Sequence, residues 1–336
     1  MNAMPPKVLL PIADHEGEVK QLHAFCNANN IDLRKCEFNK LLASGKILKE
    51  ASIKGDPTRV VLLSDGKTVL KLVNLMQLPK FATKAQMLEV RIMANFAWKT
   101  PNLVPLVGLF FDTNSMQLGI AMEMMVTLEQ KCAEMHQENQ HCTPAAVANC
   151  LRQLLQGVHA LAEFGFLHGD IKADNVLVTT DGNLVFKLSD FASAREITDQ
   201  NACDVPEPVH LVGMYHPHDF KNAKNAEQAF DSRYDIWAVG ILILRILLCQ
   251  HPVTLLARAR ELAMDHYTYT ILLRQDSLNI VQELHARIAQ YVKNDVVLNV
   301  LQNMLQCNWD KRYTAKLALE TLGEAGTQGV RSLSQD

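Results

Sequence analysis

Apolar residues alternate with polar ones in short runs through the first third of the chain and recur every third or fourth position through most of the rest. Between about 45 and 125 the runs have strand character, at 47–48, 60–63, 68–73, 104–111 and 116–122. One helical stretch, about 82–97, interrupts them. Beyond 127 the spacing is that of helices. Thr143 followed by Pro144 predicts a helix start, a capping hydroxyl ahead of a proline at the first helical position. Val147, Leu151, Leu154, Val158 and Leu161 then share one face, and Gly165 ends the element. Further helical patterns cover about 232–249, 253–263, 276–291, 294–306 and 313–322. Residues 1–40 read as an appendage, with a short strand at 8–12 and a helix capped by Asp14 whose Val19, Leu22, Phe25 and Cys26 lie on one side. Strands first and helices after predict an α+β chain in two lobes, joined near 123–127.

Composition narrows this only a little. The chain has 336 residues, enough for one large two-lobed domain, with 48% hydrophobic and 21% charged residues. A formal net charge of −3 offers no electrostatic footprint for nucleic acid or an anionic membrane. The longest apolar run, 236–249, is too short to span a bilayer and contains Arg245, so it reads as a helix buried on all sides. The first residues lack a signal-peptide pattern, and the eight cysteines form no C-x-x-C pair, so reduced thiols in a cytoplasmic compartment are expected.

The chemistry concentrates in Phe166-Leu-His-Gly-Asp-Ile-Lys-Ala-Asp-Asn-Val-Leu-Val178, with Asp190-Phe-Ala192 following a short apolar strand at 184–188. Moving a phosphoryl group needs a carboxylate to orient the attacking hydroxyl and a cation to steady the charge that builds. It also needs an acid and an amide oxygen to hold magnesium. Asp170, Lys172, Asn175 and Asp190 supply these groups in one stretch. Upstream, Lys71 lies on an alternating strand between Val69 and Val73, and a lysine there needs a partner anion. Glu89 is the only carboxylate between Asp65 and Asp112.

By these motifs the chain resembles the eukaryotic-type Ser/Thr protein kinases over about 45–322. The resemblance implies a small antiparallel-sheet N-lobe (45–125) and a larger helical C-lobe (126–322), flanked by an extension (1–44) and a tail (323–336). It implies ATP and Mg2+ as cofactors and a protein substrate phosphorylated on Ser or Thr, the latter from Lys172. Asp170 and Lys172 are then catalytic, and Asn175 and Asp190 hold the metal. Lys71 and Glu89 form the pair that positions the α/β-phosphates. Met122-Glu123-Met124-Met125 resembles the hinge, with Met122 as gatekeeper and backbone groups of Glu123 and Met125 facing adenine. Val69 and Leu177 are the apolar walls. Asp235, in Tyr234-Asp-Ile-Trp-Ala-Val-Gly240, holds the catalytic-loop backbone, and Arg312 pairs with Asp219.

Several positions depart from the family pattern. Gly169 replaces an arginine that pairs with activation-segment phosphate, so activity independent of such phosphorylation is expected. Ala192 replaces a glycine. Of the glycine-rich loop only Gly55 remains, with Glu50 and Ser52 where glycines are expected, which predicts weaker ATP binding. Tyr215-His-Pro-His-Asp219 and Val212 alter the segment that docks peptides. Two other readings accompany the first. A small-molecule kinase of the aminoglycoside or choline type also carries H-G-D followed by asparagine. A pseudokinase scaffold accounts for the eroded loops.

Overall fold

The computed structural model describes residues 15–38, 46–49, 58–75, 80–138, 143–179, 184–197, 232–247, 295–306 and 308–331. The chain divides into two compact units: Met1–Leu78 with Leu106–Met122, and Pro79–Pro105 with Glu123–Asp336. The first is a sheet unit and the second is mainly helical. The expected helix near 82–97 thus groups with the helical unit, although it lies within the sequence of the strand-rich part.

The sheet unit opens with α1 (His15–Ala28), whose Leu22 and Cys26 are buried as the periodicity expects. Six strands follow: β1 (Leu33–Lys35), β2 (Lys46–Lys49), β3 (Thr58–Leu62), β4 (Thr68–Asn74), β5 (Gly108–Asp112) and β6 (Gln117–Glu123). They form one sheet in the order β1-β5-β6-β4-β3-β2. β2, β3 and β4 pair antiparallel in chain order, as do β5 and β6, whereas β1, from the stretch read as an extension, joins parallel to β5 with Leu33 opposite Leu109. Phe38 follows that strand into the core with Val61, Leu70, Leu72 and Ala121. Its ring lies so close to β6 that a Cβ on Gly119 would sit 2.8 Å from it, so a side chain there would force the ring to shift. The Phe38 amide donates to Asp112 Oδ2 (3.1 Å), while Asn114 and Ser115 amides donate to Oδ1 (2.8 and 3.3 Å). These bonds hold the Asp112 carboxyl below its ordinary range. Burial pushes it the other way and is outweighed.

The helical unit contains α2 (Lys80–Asn95), β7 (Val126–Thr127), α3 (Leu128–Gln137), α4 (Pro144–Glu163), β8 (Phe166–Leu167), β9 (Val176–Val178), β10 (Phe186–Leu188) and β11 (Arg195–Glu196). It continues with α5 (Arg233–Leu247), α6 (Asp295–Met304) and α7 (Ala315–Arg331). Thr143 caps α4 as its sequence predicts, its hydroxyl accepting from the Ala146 amide at 3.2 Å ahead of Pro144. The buried face of α4 includes Val147, Leu151, Leu154, Val158 and Leu161, and packs against α5, α7 and β10. In α5, residues 234–239 and 241–243 are buried, consistent with a helix enclosed on all sides.

Two boundaries differ from the sequence reading. The strand expected at 104–111 begins at Gly108, because Leu103 bridges Leu188 and the Val104 amide donates to the Leu188 carbonyl at 3.0 Å. The tail expected from 323 is in part the continuation of α7. The short α3 and the two-residue strands carry too few residues to show a period. The patterns at 8–12, 253–263 and 276–291 lie outside the described residues. Among the described residues no helix is long and apolar enough to cross a membrane.

Candidate functional site

A polar network fixes β10, the strand that leads into Asp190. Asn102 Nδ2 donates to Gln153 Oε1 (3.1 Å) and to the Phe186 carbonyl (3.0 Å). Gln153 Oε1 accepts the Phe186 amide at 2.9 Å, and its Nε2 donates to the Leu184 carbonyl at 3.0 Å. The next residue after β10, Ser189, reaches the neighbouring loop. Its amide and its hydroxyl both donate to the Asn175 carbonyl at 2.9 Å.

That loop runs from β8 through His168, Gly169 and Asp170 to a 3-10 turn at Ala173–Asn175. Its start hangs from Asp235, on the first turn of α5. Asp235 Oδ2 accepts the His168 amide (2.7 Å) and Oδ1 accepts the Gly169 amide (3.0 Å). Full burial pushes the Asp235 carboxyl above the usual range. His168 and the two amides pull it down without prevailing, and the nearby Asp170 adds to the rise. Burial likewise raises the adjacent Tyr234 phenol and lowers Arg195.

The imidazole of His168 is wholly buried and bonded at both nitrogens. The Asp170 amide donates to Nδ1 (3.3 Å), so Nε2 carries the hydrogen that bonds the Ser189 carbonyl (2.9 Å). The Phe191 ring lies 5.3 Å from it, centroid to centroid. Gly169 has a positive φ of 79°, and a Cβ there would meet the Ser193 carbonyl oxygen at 2.6 Å. The residue that stands in for an arginine is therefore one that this backbone requires to be glycine.

These supports bring Asp170, Lys172 and Asn175 together. Asp170 Oδ2 accepts from Lys172 Nζ at 2.7 Å and from Asn175 Nδ2 at 2.9 Å, and Asn175 Nδ2 also donates to the Asp170 carbonyl at 2.8 Å. With its NH2 group engaged in this way, Asn175 presents its carbonyl oxygen Oδ1 as an acceptor, and Asp170 presents Oδ1. Asp190, held beside them by Ser189, has an exposed side chain and a left-handed backbone, φ 60° and ψ 69°. The 3-10 turn Phe191–Ser193 that follows packs against α2.

The family match is to the protein kinase domain, over residues 58–322. The chain belongs to the protein kinase family. With that membership comes the α+β kinase fold. A probable myosin light chain kinase of Dictyostelium discoideum is 25% identical over 275 residues, 80% of this chain and 79% of that protein. The human MAP kinase-activated protein kinase 2 is 26% identical over 222 residues, 62% of this chain and 53% of its own length. The serine/threonine-protein kinase STE20 of Eremothecium gossypii is 32% identical over 114 residues, 33% of this chain and 11% of that protein. The chain thus spans only about a tenth of the STE20 relative.

The other residues singled out in this kinase-family chain are dispersed between the two units. In the sheet unit, Val69 and Lys71 lie on β4 and are both buried. In the helical unit, Glu89 is buried on α2. Glu123 ends β6 with an exposed carboxylate 3.7 Å from Lys187 Nζ, and Met125 is buried just beyond it. Leu177, half-buried on β9, faces Lys187 and Thr127 in the register. Arg312 is buried, its Nε donating to the Gln306 carbonyl at 3.0 Å and its guanidinium 5.2 Å from the Trp237 ring centroid. Gly55, Glu50, Ser52, Val212 and the 215–219 segment lie outside the described residues. Motif reading found the Asp235 anchor, but it did not find Ser189 or the ion pair between Arg91 and Glu196. A serine before an aspartate and a charged pair 105 residues apart leave no recognisable local pattern.

Among the described residues no group of three or more His, Cys, Asp or Glu side chains gathers to hold a metal by itself. Magnesium is commonly held by one or two protein oxygens with water and substrate phosphates, so a carboxylate at Asp190 and a presented amide oxygen at Asn175 fit it.

Proposed function

We propose that the chain is an active serine/threonine protein kinase that transfers the γ-phosphoryl group of ATP to a Ser or Thr hydroxyl of a protein. The observation that carries the reading is the Asp170 carboxylate. One oxygen is held by Lys172 and Asn175, and the other is left to accept a hydrogen bond from a substrate hydroxyl. In the transfer, the hydroxyl oxygen bonds to the γ-phosphorus as the bridging bond to ADP breaks, and Asp170 orients the hydroxyl and accepts its proton. Lys172 steadies the charge on the phosphoryl oxygens. Asn175 Oδ1 and Asp190 are the metal ligands, and magnesium bound there supplies charge neutralisation on the phosphates.

Lys71 is assigned to the α/β-phosphates and Glu89 to the same phosphate-binding machinery. Backbone groups of Glu123 and Met125 are assigned to adenine, Val69 and Leu177 to its apolar walls, and Gly55 to the loop over the phosphates. Support for the Ser/Thr preference comes from Lys172 and from relatives named as serine/threonine kinases. The match to the protein kinase domain favours a protein acceptor over a small alcohol.

The test uses labelled ATP, Mg2+ and mixed Ser/Thr and Tyr peptides with the full chain. Wild type labels Ser/Thr peptides, and Asp170→Asn lowers the rate by about 10²–10⁴-fold while melting as wild type does. Undiminished turnover in Asp170→Asn, or no transfer by wild type to any acceptor, overturns the proposal.

A further inference from the structure

Asp190 sits in a left-handed backbone conformation that is uncommon for a residue with a side chain. On its upstream side the constraint is clear. The Ser189 amide and hydroxyl bond the Asn175 carbonyl, and the Ser189 carbonyl accepts from His168. On the downstream side the chain makes the tight turn Phe191–Ser193, closed by the Ala194 amide on the Phe191 carbonyl at 2.9 Å, and enters β11. This strand has two residues, paired with the two of β8, Arg195 opposite Leu167 and Glu196 opposite Phe166. So short a ladder is a weak anchor by itself.

The Glu196 carboxylate accepts from Arg91 Nη2 on α2, an ion pair joining positions 105 apart in the chain. The Arg91 guanidinium also lies over the Phe166 ring, 5.2 Å from its centroid, on the strand that β11 pairs with. The helix carrying Arg91 is the one that packs against the Phe191–Ser193 turn. One helix therefore grips the segment twice, by packing at the turn and by charge at the strand. Beyond the strand, the Ile197 amide closes onto the Gly165 carbonyl at 2.7 Å. We propose that the Arg91–Glu196 pair is a positioning clamp that holds Asp190 in its metal-presenting conformation. A genetically encoded carboxylate anchors the start of this segment, with no added phosphate. The clamp rests on the assignment of Asp190 as a metal ligand made above.

An ion pair this exposed contributes little to global stability. The clamp and an idle surface pair therefore differ in what else changes when the pair is broken. In Arg91→Gln and Glu196→Gln, the Mg2+ concentration for half-maximal transfer rises about threefold to tenfold, the amount an ion pair of this exposure and a ring contact together can carry. The reversed pair, Arg91→Glu with Glu196→Arg, recovers most of that loss and keeps the fold if either single variant does not. Lys131→Ala, which removes an exposed pair with Glu134, leaves the Mg2+ dependence unchanged. Without nucleotide, backbone amides at 190–197 exchange hydrogen faster in Glu196→Gln than in wild type.

Unchanged Mg2+ dependence in both single variants, or unchanged exchange at 190–197, overturns the clamp. A wild type that transfers no phosphate sinks the kinase reading and leaves the exchange measurement to judge the clamp alone.

Discussion

Each unit of the molecule contains a buried aspartate that accepts backbone amides, and the two have been pushed in opposite directions. Asp112, at the end of β5, takes amides from Phe38, Asn114 and Ser115 and titrates below the ordinary carboxylate range. Asp235, at the start of α5, takes amides from His168 and Gly169 and titrates above it. Both suffer from burial. In Asp112 the hydrogen bonds outweigh it. In Asp235 full burial exceeds what two amides and a histidine return, and Asp170 adds a like charge. The sheet unit uses its carboxylate to fasten an added strand, and the charge stabilises what it fastens. The helical unit tolerates a costly carboxylate because it holds the backbone that carries Asp170.

The comparison is broken most severely by Asp235→Ala. It leaves two buried amides without acceptors, at about 1–3 kcal/mol each, and frees the loop that presents Asp170 and Asn175. Phosphate transfer should fall to background, and urea unfolding should show the lost stability. A variant with near-normal turnover would show that the loop does not depend on this anchor.

Phe38→Ala tests the other side. Its ring fills the space beneath Gly119 beside Leu70 and Leu72, so truncation should cost about 3–5 kcal/mol. The amide bond to Asp112 survives the change, because it comes from the backbone. The expected result is a lower melting temperature with kcat close to wild type at temperatures where the chain stays folded. A loss below 1 kcal/mol would mean that residues 33–38 lie on the sheet without supporting it.

What the sequence disclosed differs between the same two regions. Around Asp170 the chemistry is local in sequence, so the resemblance of the 166–178 segment to the kinase catalytic loop was enough to name Asp170, Lys172 and Asn175, and the structure brings them within hydrogen-bond reach of one another. The cap of α4 was legible for a similar reason, since Thr143 and Pro144 act on their own helix. The parallel addition of β1 to β5 was not. Leu33 and Leu109 are 76 positions apart, and three residues are too few to carry an alternation. Ser189 and the Arg91–Glu196 pair were hidden because their partners are distant and their side chains are ordinary surface types. The requirement for glycine at 169 was visible only as a missing arginine. Its cause, the Ser193 carbonyl 2.6 Å from where a Cβ would sit, is a property of the folded backbone.

The smallest effect sharpens the comparison most, because its sign is opposite in the two units. The depressed value of Asp112 means that its contribution is present above the unfolded-state value, about 4, and is lost as pH falls through the folded one. The raised value of Asp235 means that its contribution is fullest below about pH 4 and declines as pH rises through the folded value. Comparing each asparagine variant with wild type by urea unfolding across the acid and neutral range cancels the groups that titrate in both. The deficit of Asp112→Asn should widen as pH rises toward and past about 4, and that of Asp235→Asn should narrow over the range above it. If the two deficits moved together with pH, burial and amide bonding would be weighted alike at both sites, and the contrast between a carboxylate that fastens and one that is merely tolerated would be lost.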